Sequence, residues 1–407
     1  MAAQRYDAIV VGARCAGSPL AMLLARKGYR VLVADKASFP SDTLSTHLIH
    51  PPGVAAMKRW GVLDQVKATG CPPIDTYAFD FGPFALVGSP GTSESPVAYG
   101  PRRTVLDKIL VDAADDAGAD VREEFTVDEI LIEDGKVVGI RGHAKGGGSV
   151  VDRARVVVGA DGRHSSVAKA VSPETYHEKP MLLCGYYSYF SGMDVTRFET
   201  YARHYRGFAA WPTNDGLTLV VGGWPYREFE ANRSDVEKHW MAMLDQEPSF
   251  AARLRAGKRE DKFYGTPVPN YFRKPYGPGW ALVGDAGYNR DYITAFGITD
   301  AFLHAEQVAT ALDEWFLGAK YDDVMGRYQK ARDERALPFY EFTTGIATLD
   351  PPPPHMQQVF AAMAGNQEAM DGFARVNALV TSPAEFFTEE NIGRIMAAAG
   401  GAARRPV

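Results

Sequence analysis

The first 35 residues constrain the fold more than any other stretch. Tyr6–Val11 is a short apolar run of β-branched type that stops at Gly12. Ser18–Lys27 follows with Leu20, Leu23 and Leu24 and is closed by Gly28, and Arg30–Ala34 is a second apolar run ending at Asp35. Strand, glycine turn, helix and strand make one βαβ unit, which belongs to a parallel sheet in an α/β fold. The turn reads Gly12-Ala13-Arg14-Cys15-Ala16-Gly17. A dinucleotide-binding turn wants glycine at its first, third and sixth places, for the tight turn, the approach of a diphosphate and close helix–strand packing. Gly12 and Gly17 fill the first and last places, and Arg14 stands in the middle. Asp35 lies 23 positions past Gly12, where an acid accepts hydrogen bonds from adenosine ribose hydroxyls and disfavours a 2′-phosphate. The helix start near Gly17 offers unpaired N–H groups to a pyrophosphate, with the Arg14 charge beside it. An ordinary βα turn with a chance acid is the plain alternative.

Two later segments repeat the pattern. Val157-Val158-Gly159-Ala160-Asp161-Gly162 and Leu282-Val283-Gly284-Asp285-Ala286-Gly287 each run from a short apolar strand into glycine and aspartate. Parallel strands present ligands at their carboxyl ends, so two such aspartates converge on one extended cofactor. Arg102–Gly118 reads as a helix, and Val127–Ile140 as a hairpin turning at Asp134-Gly135. Residues 181–230 are aromatic-rich and strand-like, which predicts an antiparallel sheet inserted into the first domain. Helices are expected at about 235–258, 298–317, 321–337, 355–378 and 384–400, ahead of a Gly/Ala-rich tail. The predicted organisation is a discontinuous cofactor domain from 1–70, 97–180 and 265–330, a substrate domain from 71–96 and 181–264, and a helical C-terminal segment, 331–407.

Composition closes off other classes. With 407 residues and 46% apolar, the chain can build a large core. Its 44 basic and 50 acidic residues give −6, with no dense Lys/Arg run, which speaks against nucleic acid as a partner. Cys15, Cys71 and Cys184 are scattered and form no CxxC pair, an expectation of a reducing cytoplasm. No apolar stretch approaches the roughly 20 residues that cross a bilayer, and the N-terminus lacks a signal-peptide pattern. The nine histidines show no ligand spacing, so no metal is expected.

The order GxxxxG, then Gly159-Ala160-Asp161-Gly162-Arg163-His164-Ser165-Ser166-Val167, then Gly284-Asp285-Ala286-Gly287 followed by Gly297-Ile298, resembles the flavoprotein aromatic hydroxylase superfamily over about residues 1–330. That para-hydroxybenzoate hydroxylase-like group, the group A FAD-dependent monooxygenases, is related to flavin halogenases and geranylgeranyl-type reductases. The resemblance implies a Rossmann-like FAD-binding domain with FAD held by Gly12, Arg14, Gly17, Asp35, Arg103, Asp161, Asp285, Gly297 and Ile298, and NAD(P)H as a transient reductant. Backbone N–H groups from Ala295 to Ile298 are then expected at the pyrimidine edge of the flavin, where they stabilise negative charge on reduction. The family usually carries proline where Tyr292 stands and glycine where Arg14 stands.

Flavin chemistry belongs to the cofactor, so the reaction is read indirectly. The expected reading is monooxygenation of an aromatic or apolar small molecule by molecular oxygen through a flavin C4a-hydroperoxide. The alternatives are reduction of carbon–carbon double bonds, halogenation, and a non-catalytic flavin-binding sensor. Halogenases usually carry a WxWxIP segment and a lysine near the substrate, whereas this chain has Gly207-Phe208-Ala209-Ala210-Trp211-Pro212. Tyr187, Tyr189, Trp211 and Trp224 are candidates for the substrate wall, with Tyr186, Phe190 and Phe208 nearby. Strand alternation sends at most half of these into a cavity. His47, on the polar loop after Asp35, is the candidate proton-handling residue. Substrate identity and the choice of monomer or homodimer are not legible.

Overall fold

The computed structural model describes residues 5–402, so the last residues of the Gly/Ala-rich tail lie outside the described residues. The βαβ unit is Arg5–Val11, Gly17–Ala25 and Val31–Ala34. Arg5–Val11 pairs in parallel with Val31–Ala34 on one side and with Ser149–Gly159 on the other. Trp280–Leu282 extends the parallel sheet past Ser149–Gly159, and Asp120–Arg122 extends it past Val31–Ala34. Helices cover one face: Leu20 and Leu24 of Gly17–Ala25, Leu106 and Leu110 of Arg103–Asp116, and Phe302 and Val308 of Gly297–Phe316 pack on Ala8, Val10, Val31 and Val33. The hairpin Phe125–Glu133 and Lys136–Ala144 covers the other face, with Ile130 and Ile140 against Ile9 and Leu32. Burial on both faces is why Val31–Ala34, Trp280–Leu282 and the carboxyl-terminal parts of Arg5–Val11 and Ser149–Gly159 read as unbroken apolar runs and not as alternating ones. The hairpin turns at Asp134 and Gly135, both left-handed at φ 49° and 75°.

Register places the site. Val11 lies opposite Gly159 and Ala34, and Gly159 lies opposite Leu282. The carboxyl ends of four parallel strands are therefore level, and Asp35, Gly12, Asp161 and Asp285 follow them in one row.

The inserted sheet is real. Leu183–Ser191, Thr218–Pro225, Arg206–Pro212 and Phe198–Arg203 run antiparallel in that order. Tyr77–Asp80 joins in parallel with Phe198–Arg203, and Ala85–Gly88 closes the edge. One face packs on the helices Val236–Met243 and Pro248–Ala256 through Trp224, Trp240 and Phe250. The other face carries Tyr187, Tyr189, Phe198, Trp211 and Leu219. A 26-residue helix, Tyr321–Ile346, runs across residue 330 with Pro338 inside it. Pro354–Met363, Gln367–Val376 and Glu389–Ala402 follow, and Val359, Met363 and Phe373 pack in the cluster of that second face. No helix among the described residues is long and apolar enough to cross a membrane.

Candidate functional site

The glycine turn is built without room for side chains. A Cβ on Gly17 would fall 1.8 Å from the Gly12 carbonyl oxygen. One on Gly12, where φ is +102°, would meet the Ala160 carbonyl oxygen at 2.6 Å and Asp161 Cα at 3.0 Å. The first cofactor segment therefore lies directly against the second. The third joins them, because a Cβ on Gly284 would reach Ala16 Cβ at 2.9 Å. Asp35 accepts from the Ala13 N–H at 2.7 Å and from the Ala37 N–H at 2.8 Å, so this acid also braces the turn. One oxygen of Asp161 accepts from the Ser166 N–H at 2.6 Å and the Ser166 hydroxyl at 2.7 Å, holding the start of Ser166–Val171. The other, Oδ1, is buried and unpartnered, which is costly unless a ligand donor meets it. Asp285 is exposed at the end of its strand. Burial, reinforced by the Asp300 carboxylate, pushes its carboxyl up to about 6 against the opposing pull of Arg103, Arg163 and Arg290.

Two arginines meet on an acid that sequence reading passed over. Arg103, only 7% exposed, makes a bidentate pair with Asp107, one helical turn on, at 3.0 and 2.9 Å. Arg14 reaches the same carboxylate at 2.5 Å, and the Cys15 thiol donates to it at 3.4 Å. Arg14 also donates to Ser41, at 3.3 Å to its carbonyl and 2.9 Å to its hydroxyl, and its guanidinium lies 5.1 Å from the Phe39 ring centre. Arg14 is thus a tethered cation that ties the turn to the loop after Asp35, not a free charge. The i,i+4 spacing of Arg103 and Asp107 was the available signal, but Arg14 lies 93 residues from Asp107 and nothing local links them.

The last segment turns into the long helix Gly297–Phe316. Ala295 is left-handed at φ +54°. Gly297 is exposed, with nothing within 4 Å of a Cβ there, while Ile298 is buried. The helix start therefore faces open space with N–H groups that have no intrahelical acceptor. His50 props this segment from behind. Its Nε2 donates to the Thr294 carbonyl at 3.1 Å, which leaves Nδ1 to accept from the Tyr77 hydroxyl at 2.7 Å. Burial holds the ring neutral, with its pKa down at about 3.

The substrate candidates divide by face. His47 sits at φ +62° with Nε2 hydrogen-bonded to the Tyr189 hydroxyl, its ring stacked on Tyr189 at 5.7 Å and edge-on to Tyr187 at 5.8 Å. Burial lowers its pKa well below the usual value, and Arg103 and Arg102 push the same way, so the ring is neutral. Trp211 shares their apolar cluster, which reaches Ala295 of the cofactor loop. Trp224 does not. It lies on the opposite face, 5.6 Å from Tyr186 and clustered with Trp240 and Met243, and Phe190 and Phe208 share that side. Strand parity is the reason, since Tyr187 and Tyr189 point one way and Tyr186 and Phe190 the other. None of the chain's lysines is buried. A cavity of about 590 Å³ opens between Ala85–Gly88 and Gln367–Asp371, and none of Asp35, Asp161 and Asp285 lines it.

The glycine cradle, the orphaned Asp161 oxygen and the free helix start fit an extended dinucleotide whose phosphates meet the turn and whose ring system meets Gly297. Comparison with known proteins agrees. The FAD binding domain family model matches residues 5–343. Digeranylgeranylglycerophospholipid reductase 2 of Methanothermobacter thermautotrophicus is 31% identical over 368 residues, 84% of this chain and 89% of that protein. Its counterpart in Methanopyrus kandleri is 28% identical over 81% of this chain and 82% of that one. Among solved structures, the myxobacterial chondrochloren halogenase superposes with a TM-score of 0.79 at 22% identity, covering 97% of both chains. By this match and this identity, the chain belongs to the FAD-binding-domain flavoenzymes and is an FAD-dependent oxidoreductase acting on a small organic molecule.

Proposed function

We propose that the protein is an FAD-dependent reductase of carbon–carbon double bonds in an apolar, isoprenoid-like substrate. The observation that carries this reading is the 31% identity to an archaeal isoprenoid-lipid reductase along nearly the whole of both chains. The inner face of the inserted sheet supports it: Tyr187, Tyr189, Phe198, Trp211 and Leu219 form one apolar wall from the cofactor loop to the C-terminal helices. Such a wall suits a long chain with few polar anchors. Monooxygenation, which the sequence motifs put first, uses the same fold but lacks a comparable full-length relative among those above. Halogenation is disfavoured by the missing WxWxIP segment and by the absence of any buried lysine.

FAD, when bound and reduced, supplies the hydride. The chain's own part is binding, orientation and the proton. Asp35, the turn Gly12–Gly17, Asp161 and Asp285 hold the cofactor. The N–H groups at the start of Gly297–Phe316 would stabilise negative charge on its reduced ring. Double-bond reduction also needs a proton on the second carbon, for which the Tyr189 hydroxyl, hydrogen-bonded to His47 Nε2, is the candidate donor, with solvent returning the proton. Burial pushes Tyr187 up to about 12 and Tyr189 higher still, so both hydroxyls keep their protons at neutral pH. NAD(P)H is the reductant this reading requires.

The test is product mass. FAD-loaded protein, reduced with NADPH or dithionite without air, is given geranylgeraniol. Gain of hydrogens in pairs supports reduction. Gain of one oxygen under air supports monooxygenation instead, and no mass change under either condition refutes the isoprenoid reading.

A further inference from the structure

Tyr292 stands where the family usually has proline, and the structure gives it a partner on another domain. Its hydroxyl accepts a hydrogen bond from the Gly185 N–H and donates to the Gly185 carbonyl at 3.3 Å. Gly185 is matched to it, since a Cβ there would meet the Tyr292 ring and hydroxyl at 3.0 Å. Tyr292 belongs to the short turn Tyr292–Thr294, which leads into the cofactor helix. Gly185 belongs to the strand Leu183–Ser191, which carries Tyr187 and Tyr189. Gly185, Tyr187 and Tyr189 are two residues apart in succession and share one face. A second tie runs beside the first. The Asp291 N–H donates to Asn270 Oδ1 at 2.7 Å, and Asn270 Nδ2 donates to the Pro180 carbonyl at 2.9 Å, just ahead of the same strand. Asp291 is buried with Oδ1 accepting from the Ile293 N–H at 3.0 Å.

We propose that Tyr292 and Gly185 form a lock that sets the spacing between the cofactor loop and the substrate-facing strand, which makes Tyr292 a positioning residue for both flavin and substrate. A proline at 292 could stiffen the loop but could not reach the strand, which would leave the Asp291–Asn270–Pro180 tie to hold loop and sheet together. With tyrosine, a shift of the strand moves the N–H groups at Gly297 relative to the flavin, and a shift of the loop moves the Tyr187–Tyr189 wall. This rests on the reading that residues 292–298 face bound FAD.

The experiment compares FAD-loaded wild type with Tyr292→Phe, Gly185→Ala and the double variant, after thermal unfolding confirms that each is folded. The readouts are the bound-flavin absorption spectrum, its midpoint potential, and the spectral change on adding geranylgeraniol as probe. Tyr292→Phe is expected to shift spectrum and potential and to weaken probe binding about three- to ten-fold, the worth of one hydrogen bond. Gly185→Ala is expected to do the same by displacing the ring, and the double variant is expected to be no worse than the poorer single, since both break one contact. Tyr292→Phe matching wild type in spectrum, potential and probe binding overturns the lock, as do additive effects in the double variant. A wild type that takes up no FAD overturns the cofactor reading, and the lock falls with it.

Discussion

Asp107 is the most exacting place to perturb this site, because it is fully buried and holds two cations. Asp107→Ala leaves the Arg103 guanidinium, 9% exposed as a side chain, without its bidentate partner. Removing one member of a buried pair typically costs about 3–5 kcal/mol, mostly from stranding the other charge. Arg14 suffers less. Its side chain is 23% exposed and keeps its bonds to Ser41, so its share is about 1 kcal/mol or below. The expected loss is about 3–6 kcal/mol, a large part of the roughly 5–15 kcal/mol that keeps a domain folded. Asp107→Asn retains shape and an acceptor and should lose about half as much. Replacing both partners, as Arg103→Met with Asp107→Leu, should recover most of the loss, because the desolvation penalty goes with the charges. The assay is urea unfolding of apo-protein followed by tryptophan fluorescence, repeated with FAD at about 100 times its Kd, where binding returns about 2.7 kcal/mol to a folded variant. If Asp107→Ala unfolds within about 1 kcal/mol of wild type, the buried hub is not a hub and the reasoning fails.

Arg14→Gly restores the residue usual in the fingerprint, yet it is expected to weaken FAD binding by about ten-fold, the value of one charge-assisted contact; flavin fluorescence titration that finds equal or tighter binding would contradict this. Asp285→Asn should stabilise apo-protein at pH 7, where the wild-type carboxylate is charged and repelled by the Asp300 carboxylate. Because burial raises its folded pKa to about 6 from an unfolded value near 3.8, wild type regains that stability as pH falls through 6, and the difference between the two proteins should shrink between pH 7 and pH 4; thermal melts that stay parallel across that window would refute the assignment. Trp211→Ala and Trp224→Ala should each cost about 3–5 kcal/mol as cavities, but only Trp211→Ala should change the flavin spectral response to an added isoprenoid, and an equal response from both would mean that the two faces are misassigned.

The local parts of this protein were legible because local physics fixes them. Apolar runs ending in glycine gave the carboxyl-terminal parts of the strands Arg5–Val11, Ser149–Gly159 and Trp280–Leu282. Carboxyl ends of parallel strands are level once the register is set, so an aspartate after each run was enough to predict their convergence. Alternation separated Tyr187 and Tyr189 from Tyr186 and Phe190, but it could not say which set faces the cofactor. That choice depends on where the helices Val236–Met243 and Pro248–Ala256 dock, and their docking buried Trp224 on the far side. Contacts between distant segments were out of reach for the same reason. Arg14 meets Asp107 across 93 positions, and Tyr292 meets Gly185 across 107. Periodicity reports what a segment buries, not what it buries against. The sequence alone pointed to the cofactor class and to the row of acids at the strand ends. Only the folded chain decided which side chains share the inner face of the inserted sheet and which bond ties that sheet to the loop before Gly297, because packing between elements is set by shape and not by spacing.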